Sequence, residues 1–265
     1  MRRIFIIIMS AMLSMFLAAC ATTTDIEQKS DQKNVSKPNL KEASDLNTQL
    51  GIGYIQRQQY KAAKDKLEKA IEQNPKNVIA YKTLAYLYAL LGLNDKAEEK
   101  YEEALRQSPN DPDLLNSYGA YLCTIGKIDE AQEKLKQAYS DPFYDSGYLA
   151  QSNAGSCYLK QQKYAKAEKL LRQSLRAQPN LPGSLLSMAE VGIKTDRYLM
   201  ARAYIQRYHA LKPASAESLW IQIQAEKALG AKEHYMKYVR QLISDFPDSD
   251  EAGWAEAMAH NEQFR

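Results

Sequence analysis

The chain has 265 residues, a net charge of +3 and only 11 glycines. Ala, Leu, Gln, Lys, Glu and Tyr dominate and β-branched residues form no alternating runs, which argues against a β architecture and for helix. Arg2 and Arg3 belong to an acid-free leader, so the remainder carries only +1, mixed in sign along the chain. That excludes the basic footprint of a nucleic-acid-binding protein.

The first element, residues 1–19, reads as a signal peptide. Met1-Arg2-Arg3 is a short positive start, and Ile4 to Leu17 is apolar and uncharged. That stretch is too short for a confident membrane span and sits where a secretory signal sits. Leu17-Ala18-Ala19-Cys20 follows and resembles a bacterial lipobox. The resemblance implies cleavage before Cys20 and lipidation of its thiol. The alternative is an ordinary Ala-x-Ala signal with an incidental cysteine. Two or more acyl chains would make a lasting anchor. Ala21, and not Asp, follows the cysteine; in lipoproteins of this kind that implies the periplasmic face of the outer membrane. Residues 20–40 then read as a polar tether, with too little apolar surface to fold alone.

From residue 41 onward the prolines set a period. Pro75, Pro109, Pro179, Pro213 and Pro247 are spaced by 34, 70, 34 and 34 residues. The 70 is two periods plus two residues. With this proline as position 32, units span 44–77, 78–111, 112–147, 148–181, 182–215 and 216–249. Position 8 is Gly51, Ala85, Gly119, Gly155 and Ala189 in the first five, and position 20 is Ala63, Ala97, Ala131, Ala167 and Ala201. Small residues at fixed places let two helices cross closely, and larger ones such as Leu67, Tyr101, Leu135 and Leu171 at position 24 fill the space beside them. Proline then ends the second helix. A 34-residue helix–turn–helix period is the tetratricopeptide signature. The expected fold is all-α: a right-handed superhelical solenoid of six such repeats.

Repeat three is two residues longer around Asp141-Pro142-Phe143-Tyr144-Asp145, with Phe143 in place of the proline. This reads as a longer surface turn or an exposed aromatic contact. Repeat six carries Ile223, Tyr235 and Leu242 at the small positions, as terminal repeats do. Residues 250–265 are expected to form a capping helix bearing Trp254 and Met258, opened by Asp248 and Glu251 as a capping pair.

Cys123 and Cys157 remain in an oxidising compartment. They occupy position 12 of repeat three and position 10 of repeat four. Two residues turn a helix by about 200°, so the thiols can face one another between neighbouring first helices. A disulfide and two buried thiols are both compatible with this placement.

Catalytic patterns are missing. His209, His234 and His260 have no metal-ligand spacing, Gly126-Lys127 is no phosphate loop, and Gly51-Ile52-Gly53 lies inside a helix. The carboxylates are expected on outer faces. The sequence implies no enzyme, no cofactor and no metal.

Leu115 to Cys123 (LNSYGAYLC), Asn153 to Leu159 (NAGSCYL) and Leu50-Gly51-Ile52-Gly53-Tyr54 resemble the type IV pilus biogenesis lipoproteins, the PilF/PilW pilotin family, and the resemblance spans nearly the whole chain. It implies a monomeric periplasmic protein that helps the ring-forming pilus secretin localise, insert and multimerise. Some members also have a cysteine pair in repeats three and four. The alternative is a generic tetratricopeptide lipoprotein scaffold for another envelope machine. In this repeat family, positions 2, 5, 9, 12 and 13 of the first helix line the concave face. Repeat one then offers Ile52, Ile55 and Gln56; repeat two, Ile79, Tyr86, Ala89 and Leu90; repeat three, Asn116 and Ala120. This apolar patch with an amide beside it is the expected partner site, unless the tether, Leu40 or Leu46 folds back over it.

Overall fold

The computed structural model describes residues 39–263. The expected signal peptide, Cys20 and nearly all of the tether lie outside them. The described residues hold thirteen helices and no strand: α1 (Leu40–Gln56), α2 (Tyr60–Gln73), α3 (Val78–Leu90), α4 (Asn94–Gln107), α5 (Pro112–Thr124), α6 (Ile128–Ser140), α7 (Gly147–Lys160), α8 (Tyr164–Ala177), α9 (Pro182–Lys194), α10 (Tyr198–His209), α11 (Ala216–Ala228), α12 (Lys232–Asp245) and α13 (Asp250–Gln263). They form six helix pairs and one closing helix, an all-α solenoid. First helices of neighbouring repeats touch, as do second helices and the first helix that follows.

The small-residue columns explain the packing. Ala63, Ala97, Ala131, Ala167 and Ala201 are fully buried, as are Leu67, Leu135, Leu171 and Ile205. A Cβ on Gly119 would lie 2.6 Å from Leu135 Cγ, and one on Gly155 2.7 Å from Leu171 Cγ. Only hydrogen fits there, so the two columns are one interlock. Each buried leucine stabilises the fold by about 1.5–3 kcal/mol relative to exposure.

A feature absent from the sequence reading is the turn inside each pair. Position 15 adopts a left-handed backbone in all six repeats. Gly92, Gly126 and Gly230 do so at φ 70°, 84° and 71°, while Gln58, Gln162 and Asp196 do so at 58°, 58° and 54°. Glycine reaches this region without strain; the other three do not.

Helix starts are set by local caps. Asn77, Asp111 and Ser215 accept backbone N–H groups at the starts of α3, α5 and α11, and Pro112 and Pro182 occupy first turns. The last helix corrects the sequence reading: Ser249, and not Asp248, is its cap, its Oγ accepting from Ala252 N at 3.2 Å. Ser249 directly precedes the helix, so its hydroxyl reaches the third N–H. Ala252 and Ala255 are buried against α11 and α12, while Trp254 stays half exposed.

The two ends differ. In repeats two to six, position 3 is Ala80, Leu114, Ala150, Ser184 and Ser218, all buried against the preceding repeat. In repeat one the same place is Leu46, 58% exposed, and position 7 is Leu50, 41% exposed. Helix α13 closes the other end.

Candidate partner-binding groove

The concave side of repeats one to three carries an open groove of about 1000 Å³. The ends of α1 and α3 form its apolar wall, with Ile52, Ile55 and Gln56 from α1 and Tyr86, Ala89 and Leu90 from α3. These are residues chosen from the sequence by helical position. Tyr86 is 50% exposed and Leu90 47%, an unusual concentration of apolar surface facing water.

The floor is aromatic. Tyr101 of α4 stacks on Tyr118 with ring centroids 5.0 Å apart and lies 5.3 Å from Tyr121. Burial pushes the Tyr101 and Tyr118 phenols far above their ordinary range, so both stay neutral. Tyr121 donates its hydroxyl to the Asn94 carbonyl at 2.9 Å. This pins α5 to α4 and holds the floor in one shape.

The far wall is polar. Asn116 is almost buried, and both ends of its amide are engaged: Asn153 Nδ2 donates to its Oδ1 at 2.9 Å, and its own Nδ2 donates to Tyr144 Oη at 3.5 Å. Burial pushes Tyr144 up to about 12. Asn116 therefore shapes the wall by holding α5, α7 and the long turn together. Lys82, also at the groove, pairs with Asp113 across repeats two and three.

Ile79 is exposed but does not line the groove. Leu40 and Leu46 point to solvent and do not cover it. Phe143 stands 91% exposed on the long turn. The sequence reading passed over Lys82 and Thr124, though both occupy positions it was using. It also passed over position 6, where Thr83, Ser117 and Asn153 line the groove in successive repeats.

A disulfide joins Cys123 and Cys157, with Cα atoms 5.8 Å apart. It links α5 to α7, the first helices of repeats three and four, and Cys123 is the chain neighbour of the groove residue Thr124.

Not every carboxylate sits on an outer face. Glu226 is 3% exposed and is held by Arg202, with Nε to Oε1 at 3.0 Å and Nη2 to Oε2 at 2.5 Å, and by Gln222 at 2.7 Å. A buried anion persists only when paired and hydrogen-bonded. Among the described residues no group of His, Cys, Asp or Glu could hold a metal ion, and no helix is long and apolar enough to cross a membrane.

Tetratricopeptide repeat models match residues 48–112, 123–182 and 100–133. The type IV pilus assembly protein PilF of Pseudomonas aeruginosa is 30% identical over 238 residues, 90% of this chain and 92% of that protein. The chain belongs to the PilF family. The solved structure of Pseudomonas aeruginosa PilF superposes with a TM-score of 0.74, covering 83% of this chain and 99% of that one. The structure of PilW, described as a widely conserved type IV pilus biogenesis factor, gives a TM-score of 0.73 at 32% identity, covering 79% and 96%. PilF and PilW, both described as type IV pilus proteins, thus share the solenoid fold of this chain.

Proposed function

We propose that this chain is a pilotin: a non-catalytic lipoprotein on the periplasmic face of the outer membrane that binds the type IV pilus secretin and promotes its localisation and multimerisation. The observation that carries the reading is the groove. It is apolar on one wall, aromatic beneath and rigid behind, as a receptor for an apolar peptide segment must be. Its residues come from repeats one to three, joined by Asn153 of repeat four, so it exists only in the assembled solenoid.

The lipid on Cys20 would place the groove near the membrane where the ring inserts, with the tether setting the reach. Some twenty residues of flexible chain span on the order of 25 Å. The test is made in cells. Loss of the protein removes the heat-stable secretin ring, and Ile55→Asp made at wild-type level reproduces that loss. Cys20→Ala leaves a folded domain that fractionates away from the outer membrane and incorporates no labelled fatty acid. Normal ring formation in the Ile55→Asp strain contradicts the partner reading; a membrane-bound Cys20→Ala chain contradicts the anchor alone.

A further inference from the structure

The concave side of the last two repeats has a different chemistry. Glu190 of α9, Glu217 and Trp220 of α11, and Glu251 and Trp254 of α13 surround a pocket of about 190 Å³. Trp220 and Trp254 have ring centroids 5.6 Å apart with planes inclined by 56°. Trp254 remains 51% exposed. An indole left at the surface and packed on a second indole is the residue type that most often anchors a partner.

The charge around this wall is unbalanced. Three carboxylates line the pocket against one ammonium, Lys194. No ion pair among the described residues engages Glu190, Glu217 or Glu251, whereas Glu98, Glu103, Glu168 and Glu226 are all paired. Burial, and then the Glu217 carboxylate, push Glu190 above its ordinary range, with Lys194 only partly offsetting them. The site thus presents an aromatic face and an uncompensated negative field to the same volume. Ile193 and Ile221 add an apolar strip beside it.

We infer that this pocket receives an arginine side chain from a protein partner. A guanidinium is planar, stacks on an indole face and offers its N–H groups in a fork that fits a carboxylate. Its aliphatic stem would lie along the isoleucine strip. The volume falls below the roughly 300–1,000 Å³ of small-molecule sites and suits one long side chain. The pocket shares no residue with the groove of repeats one to three, so this inference stands apart from the secretin reading.

Both tryptophans of the chain lie in this pocket, so its fluorescence reports the site alone. The full chain is titrated with acetyl-Gly-Arg-Gly-amide and with the citrulline counterpart at matched ionic strength. Citrulline keeps the length and the planar shape but lacks the charge, and a carbonyl oxygen stands in place of one of arginine's two terminal nitrogens. The arginine peptide should give a saturable change in emission, and the citrulline peptide should bind about tenfold more weakly. The double variant Glu217→Gln/Glu251→Gln, isosteric and checked for helicity, should lose about the same factor. Equal responses to the two peptides, no saturable response, or an unchanged affinity in the double variant overturns the inference. So does a stronger response to phosphatidylethanolamine vesicles than to the arginine peptide, which would make the occupant a lipid headgroup.

Discussion

The two concave surfaces of this solenoid are built on one backbone plan and differ in what lies beneath. Under repeats one to three the floor is a stack of neutral tyrosines, and the surface above is isoleucine, leucine and tyrosine. Under repeats five and six the core itself is partly polar, with Arg202, Glu226 and Gln222 locked together, and the surface above is acid and tryptophan. The repeat period fixes where a side chain projects; the residue placed there fixes what it can hold. One scaffold therefore offers an apolar groove at one end and an acidic, aromatic pocket at the other.

The largest effect expected on stability falls on the carboxy-terminal half. Arg202→Ala strands the buried Glu226 carboxylate without its charge partner, and breaking a buried pair in this way costs about 3–5 kcal/mol. Thermal unfolding should drop sharply and hydrogen exchange should rise first in α10 to α12. Uniform loss across all helices would mean the two halves do not differ in the way described. Replacing the pair with Met and Leu should recover much of the loss.

Reduction of Cys123–Cys157 acts on the other half. A loop of 34 residues contributes up to about 4 kcal/mol in the chain-entropy model. The natively oxidised chain should show no free thiol from either cysteine, and its melting should fall on reduction, with α5 and α7 the first to exchange. A native sample that titrates two free thiols, or melting indifferent to reductant, contradicts this.

Sequence logic explains why one half was easier to read than the other. The columns at positions 8, 20 and 24 are set by steric fit, and Gly119 against Leu135 shows how little freedom that fit leaves. The apolar wall of the groove follows from helical spacing alone. The aromatic floor did not, because Tyr101 sits at a core position and looks like filler until the open side of the ring stack is seen. The sequence puts Glu190 and Glu217 on outer faces, because charge usually means solvent, and Glu251 in a helix cap; nothing in a sequence brings α9, α11 and α13 around one volume. The sequence places Asn116 as an amide beside the apolar patch but does not show its partners, because Tyr144 and Asn153 lie 28 and 37 residues away.

A smaller effect separates the halves by pH. Burial holds His209 below its ordinary value of 6.5, beside Ser218 at 3.0 Å. The folded state then binds fewer protons than the unfolded one below that value. Stability is complete above pH 6.5 and declines as pH falls from there toward the lowered folded value. Melting of the wild type should decline over that window, and His209→Gln should remove part of the decline. An identical pH profile in the variant contradicts the assignment.

The smallest effect concerns the turns. Gln162→Gly relieves a left-handed backbone at φ 58°, and should raise stability by a few tenths to about 1 kcal/mol, offset in part by glycine's unfolded-state entropy. Gly126→Gln at the same repeat position should lower it by a similar amount. If both substitutions move melting in the same direction, position 15 is not a shared strained turn.

The central claim is that the groove of repeats one to three, and not the solenoid in general, receives the pilus secretin. The direct measurement is the equilibrium affinity of the full chain for purified secretin, alongside helicity and melting. The account predicts saturable binding by wild type, about 30-fold weaker binding by Tyr86→Ala and weaker still by Ile55→Asp, as expected for truncating or charging a central anchor. Helicity should be unchanged, and the outer-face variants Lys69→Ala and Glu103→Ala should bind like wild type. Wild-type affinity in a folded Ile55→Asp protein, or equal losses in the groove and outer-face variants, would contradict it.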